Sequence, residues 1–236
     1  MEIPPVSRCY LLLATLTSAA CAFDLVSPLS LYFNVRLIAR GQLWRLLTTF
    51  LYFGSPGLDF VLHMYFLVRY SRALEEGREF HRKTSDFVWL IMFGMTCICL
   101  IAPFLNVTFF GSSLTFMMVY VWARRNENVQ LSFLGLLPFR APYLPWVLLS
   151  FSALLGSNAL HSMIVDGIGI FAGHLYFYAE DIYPKVAAIR GWTVHRPLRA
   201  PTVVKWLFGE MTLDGQALLP EVNRVNEEFG DRVMMM

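Results

Sequence analysis

Thirty-seven consecutive residues of this chain, from Phe87 to Ala123, include no Asp, Glu, Lys or Arg. A second uncharged run of 25 residues covers positions 141–165. A helix needs about 20 apolar residues to cross the roughly 30 Å of hydrocarbon in a bilayer, so both runs are long enough to span a membrane. Only 15% of the residues are charged, well below the roughly 25% of soluble domains. With a net charge of +2, the chain also lacks the basic surface of a nucleic-acid-binding protein.

Hydropathy and turn-forming residues divide the chain into six apolar segments. The 37-residue run contains two of them, because one helix of that length would measure about 55 Å. Pro103, Asn106 and Gly111 supply the break, and the second segment of the pair is unusually short. The predicted spans lie at about residues 9–26, 50–68, 87–104, 110–123, 142–161 and 163–180. We therefore predict an all-α membrane protein with six transmembrane helices.

The positions of the basic residues predict how these spans are oriented. Alternate connections place Arg36, Arg40 and Arg45 on one side of the membrane and the other sixteen of the 19 Lys and Arg residues on the opposite side. Because cytosolic loops are enriched in Lys and Arg, we expect both termini in the cytosol. The first segment is interpreted as a retained span and not as a cleaved signal peptide, since its amino-terminal flank holds one basic residue, Arg8. Residues 1–184 form the predicted membrane domain and residues 185–236 a cytosolic tail.

The connection between the first two predicted spans, residues 27–49, is too polar to cross the membrane and too apolar for a solvated loop. Its aromatic rings and isolated arginines are typical of a segment in the membrane interface, with rings at headgroup depth and guanidinium groups reaching water. These residues are Tyr32, Phe33, Arg36, Arg40, Trp44 and Arg45. We predict a membrane-embedded first lumenal loop that Trp44 and Arg45 hold in position.

Disulfide and metal chemistry are not expected. All four cysteines lie within apolar segments, where they are typical of small hydrophobic side chains. The five histidines are scattered without a ligand-spaced pair, so we predict neither a metal site nor a cofactor.

Eight of the polar side chains inside the predicted spans are candidates for a function, because polar groups in a membrane are costly and face the protein interior or water. Ser113 and His174 stand out, since a serine beside a histidine base is the minimal arrangement for nucleophilic catalysis. A serine near a helix start is also a common N-cap, and His174 after Gly173 is compatible with a packed helix, so both interpretations stay open. The eight residues are Asp59, His63, Ser112, Ser113, Asn158, His161, Asp166 and His174.

Gly169 and Gly173 in the sixth predicted span have the GxxxG spacing, and Gly167 adds a small residue nearby. Such a stripe lets a neighbouring helix approach closely. We interpret it as a packing face within the bundle, with a dimer interface as the alternative.

Five sequence blocks between about Ile3 and Phe208 occur in an order and spacing that indicate one family. The blocks are Gln42-Leu43-Trp44-Arg45, Leu74-Glu75-Glu76-Gly77, Val119-Tyr120-Val121-Trp122-Ala123-Arg124-Arg125-Asn126, Ala141-Pro142-Tyr143-Leu144-Pro145-Trp146-Val147, and Gly173-His174-Leu175-Tyr176-Phe177 with Glu180-Asp181. Together they resemble the Derlins. The resemblance implies a six-span, rhomboid-like bundle in a family generally regarded as having lost the proteolytic activity of rhomboids.

The rhomboid active-site motifs are only partly retained. The serine motif G-x-S-G meets Gly111-Ser112-Ser113-Leu114, where the serine is present and the last glycine absent, and the span-six histidine falls on His174. The H-x-x-x-N pair that helps to stabilise the oxyanion is replaced by Asp59 and His63, and a carboxylate there would repel developing negative charge. We therefore predict a non-enzymatic protein with a polar cavity; an active rhomboid-type intramembrane serine protease using Ser113 and His174 is the alternative. The predicted cavity residues are Asp59, His63, Ser113 and His174.

The resemblance also implies a cellular role: an endoplasmic-reticulum (ER) membrane protein that helps to move misfolded proteins to the cytosol for ubiquitination and proteasomal degradation. The implied partners are an ER ubiquitin-ligase complex, a cytosolic AAA ATPase, misfolded clients and other Derlins in homo- or hetero-oligomers. Many Derlins end in a Phe- and Gly-rich motif that docks the ATPase; only Phe229-Gly230 matches it here, so we expect indirect recruitment. Asn106-Val107-Thr108 is a glycosylation sequon, expected to lie too near the membrane for modification.

Overall fold

The computed structural model describes residues 4–80, 83–105, 107–133, 137–155, 158–191 and 198–208. This part of the chain is predominantly helical, as predicted. In chain order the helices are α1 (Pro5–Ala22), α2 (Val35–Ala39), α3 (Arg45–Thr48), α4 (Leu58–Glu75), α5 (Thr84–Leu105), α6 (Gly111–Arg125), α7 (Leu144–Leu155), α8 (Ala159–Phe177), α9 (Tyr183–Ile189) and α10 (Thr202–Leu207). Short 3₁₀ turns at Pro28–Ser30 and Ala141–Tyr143 and a π-helical turn at Tyr178–Ile182 complete the helical structure.

The chain also contains a small β-hairpin, which the all-α prediction missed. Strands β1 (Gln130–Phe133) and β2 (Leu137–Arg140) pair antiparallel between α6 and α7, with Leu131 opposite Phe139. Strand β1, with the sequence Gln-Leu-Ser-Phe, alternates polar and apolar residues, but four residues are the shortest alternation that indicates a strand.

Helix α4 begins later than the predicted second span. The prediction started at residue 50, whereas α4 runs over Leu58–Glu75. Gly54 adopts a positive φ of 92°, and Pro56 and Gly57 follow it, so the chain turns before the helix begins. The helix then continues through charged residues to Glu75, because tertiary contacts and not hydropathy set its end.

The fifth and sixth predicted spans meet at an earlier position than expected. Helix α7 ends at Leu155, and α8 begins at Ala159. Asn158 caps α8, since its side-chain oxygen accepts a hydrogen bond from the backbone N–H of His161 at 3.2 Å. His161, placed by the prediction at the end of the fifth span, therefore lies in the first turn of α8.

One helix among the described residues, α5, is long and apolar enough to cross a membrane by length and composition. Helices α6 and α7 have 15 and 12 residues. At 1.5 Å per residue these two helices measure about 22 and 18 Å, less than the roughly 30 Å of a hydrocarbon core. The six-span arrangement therefore stays a prediction.

Helix α6 lies at the centre of the bundle. Helices α4, α5, α7 and α8 all pack against it, and Leu114, Met117 and Val121 are fully buried. The break in the 37-residue run falls where predicted, between Leu105 at the end of α5 and Gly111 at the start of α6.

Close contact between α6 and α8 depends on glycine. A Cβ atom on Gly169 would collide with the backbone carbonyl of Ser113, and one on Gly173 would lie 3.0 Å from the carbonyl oxygen of Met117. By contrast, a Cβ on Gly167 would meet nothing within 4 Å. The GxxxG face of α8 therefore lies against α6 inside the bundle.

The predicted boundary between membrane domain and tail falls inside a helix. Helix α9 (Tyr183–Ile189) runs through position 185, and farther along the backbone N–H of Ala200 donates to Asp86 Oδ1 of α5 at 3.1 Å. The first part of the tail thus packs on the helical bundle. The Phe229-Gly230 fragment and the sequon asparagine, Asn106, lie outside the described residues.

Candidate functional site

A polar cavity of about 220 Å³ lies at one end of the bundle, between the amino-terminal parts of α4, α6 and α8 and the carboxyl-terminal part of α7. Aromatic side chains of the adjoining loops, including Phe53 and Phe109, form part of its wall. Two carboxylates and two imidazoles line the cavity, and no described lining residue is Lys or Arg. Its polar lining residues are Tyr52, Asp59, His63, Ser112, Ser152, His161, Ser162 and Asp166.

Asp59 and His63 form a pair within one turn of α4. The Nδ1 atom of His63 lies 3.3 Å from Asp59 Oδ1 and 2.9 Å from the backbone carbonyl oxygen of Asp59. His63 is 9% exposed, so these contacts hold a largely buried imidazole in place. The structure therefore brings together two of the predicted site residues and places both on the cavity.

Asp166 of α8 is the most deeply buried acidic group of the cavity. Its side chain is 1% exposed, and the hydroxyl groups of Ser112 and Ser152 interact with its carboxyl group. Within the described residues, its Oδ2 atom makes no hydrogen bond. The predicted cavity set omitted Asp166, although its position as the charge that ends the 25-residue uncharged run was a usable signal.

Ser113 and His174 do not meet. The Ser113 hydroxyl is fully buried and donates to the backbone carbonyl oxygen of Val165 at 2.6 Å. His174 is exposed, and its Nδ1 atom lies 2.6 Å from the hydroxyl oxygen of Tyr120. Val165 and His174 are nine residues apart on α8, which corresponds to about 13 Å along the helix.

This separation corrects the predicted cavity set, because neither Ser113 nor His174 is among the lining residues. A serine nucleophile needs a base within hydrogen-bonding reach, about 2.6–3.2 Å. The Ser113 hydroxyl instead donates to a main-chain carbonyl, which cannot accept its proton as a base. The described geometry therefore does not form the serine–histidine pair of the protease alternative.

Arg45 and Trp44 occupy opposite environments in the first loop. Arg45 is 6% exposed and donates to the carbonyl oxygens of Leu29 and Tyr32 and to Gln42 Oε1, while its guanidinium group lies over the Tyr32 ring at 4.9 Å. Trp44 is 55% exposed. Arg45 thus ties the loop together from inside, whereas the Trp44 ring points away from the protein.

At the opposite end of the bundle, an ion pair and a helix cap connect neighbouring helices. Their charged residues belong to the family blocks of the sequence, which did not indicate these contacts. The guanidinium group of Arg125 at the end of α6 donates to Asp181 Oδ2 at 2.9 and 3.1 Å. The Glu75 carboxylate accepts hydrogen bonds from the backbone N–H groups of Val6 and Ser7, in the first turn of α1. These contacts join four helical segments, α1, α4, α6 and the π-helical turn, so this end of the bundle is structural in character.

The described residues offer no metal site, since no three His, Cys, Asp or Glu side chains are grouped closely enough to hold an ion. The polar groups of the candidate site are two carboxylates, two imidazoles, three serine hydroxyls and the Tyr52 hydroxyl.

Known proteins with related sequences agree on one family. Residues 3–193 match the sequence model of the Der1-like family. The chain is 43% identical over 221 residues to Derlin-2.2 of Arabidopsis thaliana, covering 89% of this chain and 86% of that protein. It is also 43% identical to Derlin-2 of Oryza sativa subsp. japonica, with 89% and 84% covered. A probable derlin-2 homolog of Dictyostelium discoideum is 38% identical over 223 residues, with 91% and 82% covered.

Proposed function

Because this chain belongs to the Der1-like family, we propose that it is a multi-pass ER membrane protein that assists the retrotranslocation of misfolded proteins without catalysing a reaction. Its clients are misfolded ER proteins that are ubiquitinated and degraded on the cytosolic side. Its partners are an ER ubiquitin-ligase complex and, indirectly, a cytosolic AAA ATPase. Association with a second copy or with a related Derlin is part of the proposal.

Six spans with both termini in the cytosol form the proposed topology. Helices α1, α4, α5, α6, α7 and α8 serve as the spans, and sixteen of the 19 basic residues then face the cytosol. This orientation puts the polar cavity at the lumenal end and the Arg125–Asp181 pair at the cytosolic end. A carboxyl-terminal tag that resists added protease in sealed ER vesicles contradicts this topology.

The observation that carries the proposed function is the polar cavity with Asp166 at its base. A polar segment of a client faces a high barrier in hydrocarbon, because its unpaired polar groups each cost several kcal/mol. The cavity provides carboxylates, imidazoles and hydroxyls at the depth where that barrier begins. A polar client segment in contact with them meets a lower barrier than in lipid.

The short central helix supports the same mechanism. Helix α6 has 15 residues, or about 22 Å, which is roughly 8 Å less than a standard hydrocarbon core. A bilayer adjusts to short spans by thinning locally. A thinner membrane beside the cavity shortens the path that a polar segment has to cross.

Filling the cavity is the direct test of this function. Ser152 is 8% exposed and lines the cavity, so Ser152→Phe places a ring in the space that a client segment needs. In cells that lack related Derlins, a misfolded ER reporter should be cleared by the wild-type protein and persist with Ser152→Phe. Radioactive pulse-chase measures the reporter's half-life.

Ser150→Phe is the matched control, because Ser150 lies two residues away on α7 and is exposed. This variant should clear the reporter at the wild-type rate, and both variants must reach wild-type abundance for the comparison to count. Equal clearance by Ser152→Phe and Ser150→Phe contradicts a role for the cavity. Failure of the wild-type protein to accelerate clearance contradicts the retrotranslocation function itself.

A further inference from the structure

The two carboxylates of the cavity share one neighbouring imidazole, that of His63. Of its two carboxylates, Asp59 lies against His63 at 3.3 Å and is partly exposed. Asp166 is 1% exposed and has two serine hydroxyls beside its carboxyl group; the basic side chain that interacts with it electrostatically is His63, which already contacts Asp59. Hydroxyl groups donate hydrogen bonds and carry no charge. A buried carboxylate that shares its basic neighbour with a second carboxylate is incompletely compensated, so this position favours a cationic ligand.

The unpartnered Oδ2 atom of Asp166 provides a second indication of a ligand. A buried acceptor without a protein donor at the wall of a cavity is available to a donor within that cavity. The position of this atom at the cavity indicates a ligand that supplies a hydrogen-bond donor.

The cavity's size and donor set narrow the ligand class. Its volume of about 220 Å³ equals the share of roughly seven water molecules, enough for a charged head group with part of its stem. The described side chains do not group into a metal site, and two carboxylates repel an anion. An ammonium or guanidinium group on a flexible stem fits these limits.

We propose that this cavity binds the cationic side chain of a Lys or Arg in a client segment, with the Asp166 carboxylate as its ion-pair partner. The inference rests on the proposed function and assigns that function a substrate preference. Asp166 is seven residues after the start of α8, so the binding position lies about 10 Å below the lumenal end of that helix. Client segments with a basic residue at this depth are therefore the preferred ligands.

Photo-crosslinking of single-span peptides to the full-length protein in nanodiscs tests the preference. The peptides carry a diazirine next to one test position, six or seven residues below the lumenal end, occupied by Lys, Nε-acetyl-lysine or Glu. Acetylation of the lysine keeps its stem and removes its charge. The difference in crosslinking between the Lys and acetyl-lysine peptides therefore measures the ion pair without any change to the protein. We expect the Lys peptide to crosslink at least about fivefold more than the acetyl-lysine peptide.

Asp166→Asn should abolish this difference while leaving the acetyl-lysine peptide unaffected. Asp24→Asn is the matched control, since Asp24 is exposed and outside the cavity but its substitution changes the net charge equally. Where Asp166→Asn fails to fold, Ser152→Phe decides the location, because a filled cavity should lose the Lys preference as well.

The possible outcomes distinguish a failure of the inferred Lys preference from a failure of the proposed function. Equal crosslinking of Lys and acetyl-lysine peptides to the wild-type protein overturns the inference and leaves client contact intact. A Lys preference that survives both Asp166→Asn and Ser152→Phe overturns the assignment to this cavity. Absence of crosslinks with every peptide contradicts the proposed function together with the inference.

Discussion

Helices α5 and α6 arise from the same uncharged run of sequence and have opposite environments. Helix α5 has 22 residues, of which six are buried, and its Leu100 and Phe104 are 68% and 84% exposed. Helix α6 has 15 residues, of which eleven are buried, and it contacts four neighbouring helices. The longer and more apolar helix is therefore peripheral, and the shorter one is central.

The difference in burial between α5 and α6 shows that apolar composition identifies a peripheral helix better than a central one. Lipid-facing surfaces have to be apolar throughout, whereas a central helix can carry Gly, Ser and Thr because its neighbours satisfy them. In α6, Ser113 donates to Val165 of α8, and Thr115 donates to the carbonyl oxygen of Gly111 in its own helix. Its small and polar residues allow helices to approach closely.

The largest expected effect comes from forcing α8 away from α6. Gly169→Leu places a side chain where even a Cβ would collide with the Ser113 carbonyl, so the two helices have to separate. We expect destabilisation of about 3 kcal/mol or more and a large loss of monodisperse protein. Thermal melting with fluorescence-detected size exclusion measures both.

Gly167→Leu is the control for helix propensity and added bulk, since a Cβ at Gly167 meets nothing within 4 Å. It should remain monodisperse with a nearly unchanged melting temperature. Equal damage by the two substitutions would mean that α8 does not pack on α6 through Gly169.

A smaller effect is expected from removing one leucine from each helix. Leu114 of α6 is fully buried, whereas Leu100 of α5 is 68% exposed. Leu114→Ala should cost about 2–3 kcal/mol, the lower part of the range for buried leucines, because burial from lipid gains packing but no transfer from water. Leu100→Ala should change stability by no more than about 0.5 kcal/mol.

Steric-trap or denaturant unfolding in detergent gives the two free energies of unfolding. A similar loss for both leucines would place α5 inside an interface, for example with a second copy of the chain. The contrast between the two helices would then apply to the isolated chain only.

The smallest expected effect concerns Ser113 at the start of α6. Ser113→Ala removes one hydrogen bond, to Val165, and should cost about 1 kcal/mol or less. Clearance of a misfolded reporter should stay at the wild-type rate, as it should for His174→Ala at the exposed surface of α8. Labelling by a serine-directed probe that disappears in Ser113→Ala would instead indicate an enzyme.

Several features of the fold were predictable because their signals are local. Pro103 and Gly111 flank the break between α5 and α6, and a helix of 37 residues was excluded by its length. The start of α4 was mispredicted because the apolar residues 50–53 are not helical and precede Gly54, which has a positive φ, and hydropathy does not distinguish a partly buried irregular segment from a helix. The hairpin between α6 and α7 was missed because only one of its two four-residue strands, β1, alternates polar and apolar residues.

The candidate site was predictable in part. Asp59 and His63 were found because they are polar residues of a predicted span at the positions of the H-x-x-x-N pair. They meet because residues four apart lie on one face of a helix. Ser113 and His174 lie on different helices, and the lengths of the predicted spans do not establish how deep each residue lies along the bundle. Asp166 was recognised as a charge inside a span but was not assigned to the cavity, since its neighbours come from α6 and α7.

The amino-acid sequence by itself determined the helical class, the division of the uncharged run and the family, because each depends on composition, local breaks or order along the chain. Only the tertiary structure decided which residues are neighbours. The register between α6 and α8 places Ser113 beside Val165 and Gly169, and His174 beside Tyr120. That register follows from steric contact at two glycines, and contacts between helices leave no periodic signal in either helix alone.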